Sequence, residues 1–146
     1  MPNQLPNTKT TVMSAATAVG TTSITGSTLD MSGFEGVVFV FTAGAITDGA
    51  PAITAQGGLL ANGSDAANLA GTSTALTSAQ GGSAAVLDLY RPAQRYITPV
   101  LVRGGSTGAV VGALIAIQYG ARTKPTTQDT TVGNSKLVVS PAYGTP

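Results

Sequence analysis

Two runs of this chain, residues 36–42 and 110–119, are apolar at almost every position, and a glycine follows closely after each run. A strand with one wet face alternates polar and apolar residues, so runs without alternation are typical of strands that lie deep in a fold. We therefore predict two long strands and expect residues 36–42 to be buried on both faces. The most apolar stretch, residues 109–119, is far shorter than the roughly 20 residues of a membrane-spanning helix, so no membrane partner is expected.

Shorter strand-like runs lie between and around these two, separated by turn-forming Gly and Pro residues. Residues 84–90 alternate strictly between an apolar face and a mixed face, which is the pattern of a half-buried strand. Pro99 lies inside the run 95–103 and indicates an edge strand or a bulge, because proline has no N–H to donate. Further short strands are predicted within 21–31, at 51–56, within 72–79 and at 136–139, whereas residues 64–69 predict at most one helical turn with Ser64 as its N-cap.

These patterns predict an all-β fold, an antiparallel two-sheet sandwich that is jelly-roll-like, with extended arms at both ends. Residues 1–18 are expected to form an extended N-terminal arm, since Pro2 and Pro6 favour extended backbone and donate no hydrogen bond. Residues 19–122 are assigned to the β-sandwich domain. Residues 123–146 are assigned to a loosely structured C-terminal tail that carries the last short strand.

The chain contains no Cys, no His and no Trp. This excludes thiolate and imidazole chemistry, and with it the usual zinc and haem sites and a Ser-His-Asp triad. The six acidic residues are scattered and form no closely spaced pair of the kind that glycosidases or calcium sites use. We therefore predict no catalytic residue, no metal and no cofactor, and expect that the protein is not an enzyme.

Only 9% of the residues are charged, and the formal net charge is +1. Nucleic acid is not an expected partner, because strong phosphate binding needs a large positive excess. A surface with so few charges is poor at keeping an isolated domain soluble. This suggests that partners cover much of the surface.

The basic residues are concentrated in the second half of the chain, where six of the seven follow residue 90, whereas five of the six acidic residues precede it. Several of the basic residues lie beside tyrosines at predicted strand ends. Arg and Tyr are enriched at protein interfaces. The candidate interface residues are Arg91, Arg95, Tyr96, Arg103, Tyr119 and Arg122. Two other interpretations stay open: solvated strand ends on which arginines pack over tyrosine rings, and a stacking surface for nucleic acid.

Within this set, residues 91–96 are predicted to form a hairpin turn. Pro92 would fix the backbone between two strands, which favours a tight turn there. The arginines of the turn are expected to contact a neighbouring chain.

Three segments taken together, residues 29–39 (LDMSGFEGVVF), 88–96 (DLYRPAQRY) and 116–125 (AIQYGARTKP), resemble small structural proteins of tailed bacteriophages. The nearest group is the cement, or decoration, proteins of the phage head, as in a Bordetella phage and its relatives. The resemblance extends over roughly residues 20–125. It implies a jelly-roll-like β domain that forms a homodimer, binds the outside of the capsid shell and bridges neighbouring subunits of the major capsid protein.

The resemblance thus predicts a structural virion protein on the outer surface of a phage head. It implies no catalytic residue, and it does not say which residues touch the shell. Two alternatives stay open: another virion component, such as a tail, connector or head-fibre protein, and a carbohydrate-binding sandwich for host attachment. Sugar sites usually offer aromatic platforms, and this chain has only four Tyr and three Phe.

Overall fold

A computed structural model describes residues 3–139 and 143–144 of the chain. Within them the fold is built from β-strands, with one short 3₁₀ helix at Ser78–Gln80 and no α-helix. The strands are β1 (Lys9–Ser14), β2 (Thr17–Gly20), β3 (Ile24–Thr25), β4 (Leu29–Asp30), β5 (Gly36–Ile46), β6 (Ala52–Gly58), β7 (Ala67–Asn68), β8 (Thr74–Ala75), β9 (Ala84–Tyr90), β10 (Tyr96–Val102) and β11 (Ala109–Tyr119).

The strands form two antiparallel sheets that pack face to face, so the predicted all-β two-sheet sandwich is confirmed. The first sheet has the order β1-β11-β5-β9, with β2 also paired to β11. The second has the order β3-β10-β6-β7, with β4 also paired to β10 and β8 to β6. The two long apolar runs of the sequence, β5 and β11, are neighbours at the centre of the first sheet.

The core lies between the sheets and is filled by alternate residues of the central strands. Phe39 and Phe41 of β5 and Leu114 of β11 point inward from the first sheet and are fully buried. They meet Ile53 of β6 and Leu101 of β10, which are equally buried. Burial of such side chains contributes about 1.5–3 kcal/mol each, so this layer is the main source of stability.

The prediction that residues 36–42 are buried on both faces is wrong for the chain by itself. Val38 and Val40 point away from the core and are only half-buried. The strand register places Val40 in a row across the outer face of the sheet, consisting of Val12, Ile115, Val40 and Val86. The first sheet therefore has an apolar outer face that no described segment fully covers.

Pro99 lies in β10, which is a central strand rather than the predicted edge. Its carbonyl accepts a hydrogen bond from Gly26 N at 2.9 Å, so its nitrogen faces the same side, where β3 has ended and β4 has not begun. The missing N–H thus meets an interruption in the neighbouring strand. Gly26 is required there, because a Cβ would lie 2.9 Å from Pro99 Cγ.

The predicted N-terminal arm, residues 1–18, is largely part of the sandwich. Residues 9–14 form β1, which pairs with β11 from Lys9↔Gln118 onward, and β2 begins at Thr17. Thr11 and Met13 alternate inward with their neighbours and are buried, so a period of two does exist in this segment. Its threonines obscured the pattern, because a Thr can face either core or solvent.

The C-terminal segment also differs from its prediction. Residues 136–139 do not form the expected strand. Instead, residues 126–131 lie along the outer edge of β1, where the Gln128 side chain accepts a hydrogen bond from Thr10 N at 2.8 Å and donates to Thr8 O at 2.7 Å. Thr131 Oγ1 accepts from Val12 N at 2.9 Å.

Residues 57–72 contain no helical turn at 64–69. They include the end of β6, a loop over residues 59–66, β7 and a second loop after it. The predicted strand at 72–79 is divided between the short β8 and the 3₁₀ helix. The remaining predicted strands at 21–31, 51–56, 84–90 and 95–103 are confirmed with small changes of boundary.

Candidate functional site: the arginine end of the sandwich

Most of the residues that the sequence predicts as an interface lie at one end of the sandwich. The loop Met31–Glu35 is at the centre of this end. The loop is fixed by backbone hydrogen bonds: Met31 N donates to Arg95 O at 2.8 Å, and Glu35 N donates to Tyr119 O at 3.0 Å. Arg122 N donates to Gly33 O at 2.9 Å. We call this region, formed by residues 31–35, 59–60, 90–96 and 119–122, the arginine end.

Arg95 is held by a carboxylate of its own chain. Its Nε and Nη2 atoms lie 2.9 and 2.7 Å from the two carboxylate oxygens of Asp30, so the pair is bidentate. The Arg95 hydrogen bonds are the main cause that lowers the pKa of Asp30 below its usual value. The Arg95 guanidinium also lies over the Tyr96 ring, with Cζ 5.1 Å from the ring centroid.

Arg91 repeats this arrangement on the other side of the loop. Its Nη2 lies 3.4 Å from Glu35 Oε1, and its Cζ lies 5.1 Å from the Tyr90 ring centroid. The backbone of Arg91 has a φ of 49°, in the left-handed region that residues with a Cβ rarely adopt and that is often found at functional sites. The arginines therefore do pack over the tyrosines, as one interpretation of the sequence held.

Tyr119 closes the end of the first sheet. Its hydroxyl donates to Asp88 Oδ1 at 2.6 Å, and its ring lies over Gly36, where any side chain would collide with it. Burial, together with the hydrogen bond to the Asp88 carboxylate, raises the pKa of Tyr119 to about 12. The Tyr119 side chain is thus held by contacts within its own chain, with Asp88 and Gly36.

Arg122 differs from the other two arginines because it forms no ion pair within the described part of the chain. It lines a cavity of about 380 Å³ together with the loop Met31–Glu35 and residues Arg91–Arg95. Arg91 pairs with Glu35 and Arg95 with Asp30, so Arg122 is the guanidinium of the three that lacks an ion pair in the described part of the chain. The cavity can accept a carboxylate or a carbonyl oxygen from another molecule.

Arg103 does not belong to this interface, which corrects its prediction. It is 5% exposed, and its guanidinium donates to Ala18 O at 2.7 Å, to Thr22 O at 2.8 Å and to Ala109 O at 3.4 Å. Buried charges need such partners. Arg103 therefore ties β2 and the segment after it to β10 and β11, at the opposite end from Arg91.

The predicted hairpin at 91–96 is also wrong. β9 belongs to the first sheet and β10 to the second, so these residues connect the two sheets. The alternating strands on either side favoured a hairpin, but alternation alone does not say whether consecutive strands pair. The carboxylates that face Arg91 and Arg95 lie within the chain, in contrast to the expected contact with a neighbouring one.

Two residues that the sequence analysis missed complete the arginine end. Leu59 and Leu60 are 71% and 51% exposed, and they follow Gly58, which pairs with Tyr96 in the sheet. Their backbone N–H groups donate to the Asp65 carboxylate at 2.7 and 3.1 Å, which lowers the pKa of Asp65. The sequence does contain a signal for this feature. Two adjacent leucines lie between the turn-forming pairs Gly57-Gly58 and Asn62-Gly63, which predicts leucines in an exposed loop.

Comparison with known proteins does not identify the chain. No family model matches it, and no curated protein or solved structure is similar to it. Over residues 3–139 and 143–144, no group of three or more acidic, Cys or His side chains is placed to hold a metal ion. No helix in the same part of the chain is long and apolar enough to cross a membrane.

Proposed function

We propose that the protein is a structural virion component, a cement protein that binds the outer surface of a tailed-phage head and bridges neighbouring subunits of the major capsid protein. It acts without catalysis, cofactor or metal. A second copy of the chain is its other partner. The arginine end carries the proposal.

The main support is the chemistry of the arginine end. Arg and Tyr are enriched at protein interfaces and among the residues that contribute most binding energy, and the exposed Leu59 and Leu60 add apolar surface beside them. Tyr90 is 57% exposed and Leu59 71% exposed, so both are available to a partner. Because the loop Met31–Glu35 is fixed by backbone hydrogen bonds, little conformational freedom would be lost on binding.

The placement of the three resembling segments gives further support. Residues 29–39, 88–96 and 116–125 are far apart in sequence, and all three contribute to the arginine end. The register sets Gly36 opposite both Tyr90 and Tyr119, so the loops next to these residues meet at one end of the first sheet. The segments that carry the resemblance therefore form one continuous surface.

Charge favours a protein partner over nucleic acid. The arginine end has one uncompensated guanidinium, whereas strong nucleic-acid binders neutralise about 6–10 phosphates. A single Arg–carboxylate contact can still contribute at a protein interface. Repetition over a symmetric shell multiplies many weak contacts through effective concentration.

The proposal is tested with virions that lack the protein, compared with complete ones for DNA release on heating and on osmotic shock. Depleted particles are expected to release DNA at a lower temperature, and added protein is expected to restore resistance. Equal resistance of depleted and complete particles would reject the stabilising role. Added protein that binds only at the tail or connector would favour the other virion roles.

The surface is tested by adding back variants to the depleted particles. Arg122→Ala removes a cation that has no ion pair in the described chain, so occupancy should fall while the fold is kept. Leu59→Ser combined with Leu60→Ser should lower occupancy further. Lys136→Ala is the matched control, an exposed cation of the C-terminal segment, and should bind like the wild type.

A further inference from the structure

Strand β9 leaves one long edge of the first sheet open. Its seven residues pair with β5 in an unbroken register and with no other strand. β8 of the second sheet lies near β9 but pairs with β6 instead. Open edges present unpaired N–H and C=O groups that can bind another strand.

β1 and both sides of the second sheet are protected, and β2, which pairs with β11, has only four residues. Gln128 and Thr131 cap the outer side of β1 by accepting from the N–H groups of Thr10 and Val12. The second sheet ends on both sides in strands of two residues, β3 and β4 on one side and β7 and β8 on the other. Short strands are a common way to blunt an edge, so β9 is the long open edge of the described chain.

The pairing of β9 with β5 shows which backbone N–H and C=O groups of β9 point away from the sheet. Arg91 N donates to Glu35 O and Ala43 N donates to Ser83 O, so the odd-numbered residues between them face β5. The outward-facing backbone groups therefore belong to Ala84, Val86, Asp88 and Tyr90. Their side chains lie on the outer face of the sheet, where Val86 is 54% exposed.

We propose that β9 pairs antiparallel with β9 of a second copy of the chain, about a two-fold axis at Val86. This register sets Val86 against Val86 of the other copy and Ala84 against Asp88. An apolar pair at the centre is favourable, and no two like charges lie directly opposite each other. The proposal deepens the proposed function by assigning the surface of self-association, and it does not depend on binding to a shell.

The outer face of the sheet supports this register. Val12, Ile115, Val40 and Val86 form one row across the four strands. Pairing at Val86 would join two such rows into one of eight β-branched side chains. Because the far edge, β1, is capped, the assembly would close as a dimer and would not grow into a fibre.

The register is tested by a single cysteine in this cysteine-free chain. Residues of a hydrogen-bonded antiparallel pair have Cα atoms about 5.5 Å apart, within the range of a disulfide. Val86→Cys should form a covalent dimer at least about a hundredfold faster than Val19→Cys, since paired thiols meet at about millimolar effective concentration. Val19 is the matched control, a 51% exposed valine on β2.

Equal rates for the two variants would overturn the proposal. Rapid crosslinking only in a mixture of Val86→Cys with Asp88→Cys would overturn the register, because those residues meet when the axis lies at Leu87.

A second variant removes the two hydrogen bonds that the Val86 pair would exchange across the edge. Val86→Pro deletes an N–H that faces away from β5, and proline is tolerated at such positions. Sedimentation velocity should show a dimer for the wild type and for Val86→Thr, which keeps the N–H, and a monomer for Val86→Pro. A monomeric wild type, or a dimeric Val86→Pro, would contradict the proposal, whatever the variants do on virions.

Discussion

Arg103 shows how a single charged residue can organise the backbone around it. Its three carbonyl partners come from three separate parts of the chain: β2, the segment after it and the start of β11. Among the residues that the structure describes, no acidic side chain forms an ion pair with it. A guanidinium suits this role because its planar fork carries five N–H donors and stays charged when buried.

Arg103→Ala is expected to lower the free energy of unfolding by about 2–4 kcal/mol, since hydrogen bonds to charged groups contribute about 1.5–3 kcal/mol each. The loss is smaller than the sum of three such hydrogen bonds because Ala18 and Thr22 are exposed and water can reach their carbonyls. Urea denaturation measures the change. Arg103→Lys should recover part of the loss, and an unchanged midpoint for Arg103→Ala would show that the carbonyls need no donor.

The burial of Arg103 could have been predicted from the alternation of β10, but an arginine is usually expected to be exposed. Arg103 directly follows β10 and is two residues from Leu101, so it continues the inward face of the strand, and both residues are buried. By contrast, nothing local distinguishes Arg95, with its ion pair, from Arg122, without one. Asp30 lies 65 residues before Arg95, so that difference arises only when the loop Met31–Glu35 is in place.

At the scale of elements, strands with strong patterns were predictable, and the pairing between them was not. β9 has the predicted bounds of residues 84–90, because strict alternation with a single turn signal on each side leaves little freedom. β1 escaped prediction because its inward residues include Thr11. The wrong hairpin at 91–96 and the wrong strand at 136–139 share a cause: local propensity does not decide which segment finds a partner edge.

The segment that caps β1 can be tested through Gln128. Gln128→Ala removes the acceptor for Thr10 N, so amide exchange at Thr10 should quicken strongly while that of Val40, in the sheet centre, stays slow. Hydrogen exchange followed by NMR measures both. Thr127→Ala is the matched control, because it alters an exposed neighbour in the same segment; faster exchange at Thr10 in that variant would mean that general loosening is responsible.

On the scale of the whole molecule, carboxylates fix loops at both ends of the sandwich. Asp48 accepts from Ser106 N at 2.7 Å, Thr107 N at 3.0 Å and Gly108 N at 2.5 Å, tying together the loops of one end. Asp65 and Asp30 do the same at the arginine end. Asp129 holds the C-terminal segment through Thr131, with Lys9 nearby.

These contacts predict a loss of stability in acid. Hydrogen bonds, with ion pairs at Asp30 and Asp129, lower the pKa values of Asp30, Asp48, Asp65 and Asp129 below the usual range of an aspartate. A group with a lowered folded-state pKa stabilises the fold above its unfolded pKa, and this contribution is lost as the pH falls through the folded value. The free energy of unfolding should therefore be level from about pH 5 to 8 and fall below about pH 4.

Asp48→Asn provides the specific check. It cannot offer two acceptor oxygens to the loop, so it should be less stable than the wild type at pH 7. It should also lose less on acidification, because one of the four lowered groups is gone. Urea denaturation from pH 3 to 7 measures this, and an acid slope equal to that of the wild type would mean that Asp48 does not contribute to it.

The pairing of the first strand with the last has a consequence for how the chain folds. Thr10 is bonded to Gln128, 118 residues further along, and β1 pairs with β11. During synthesis the residues of β1 emerge well before β11, so they gain their strand partner only after β11 has been made. High contact order of this kind slows folding, because distant segments must meet before their contacts contribute. The first sheet is therefore expected to close after synthesis of most of the chain, in a single late step.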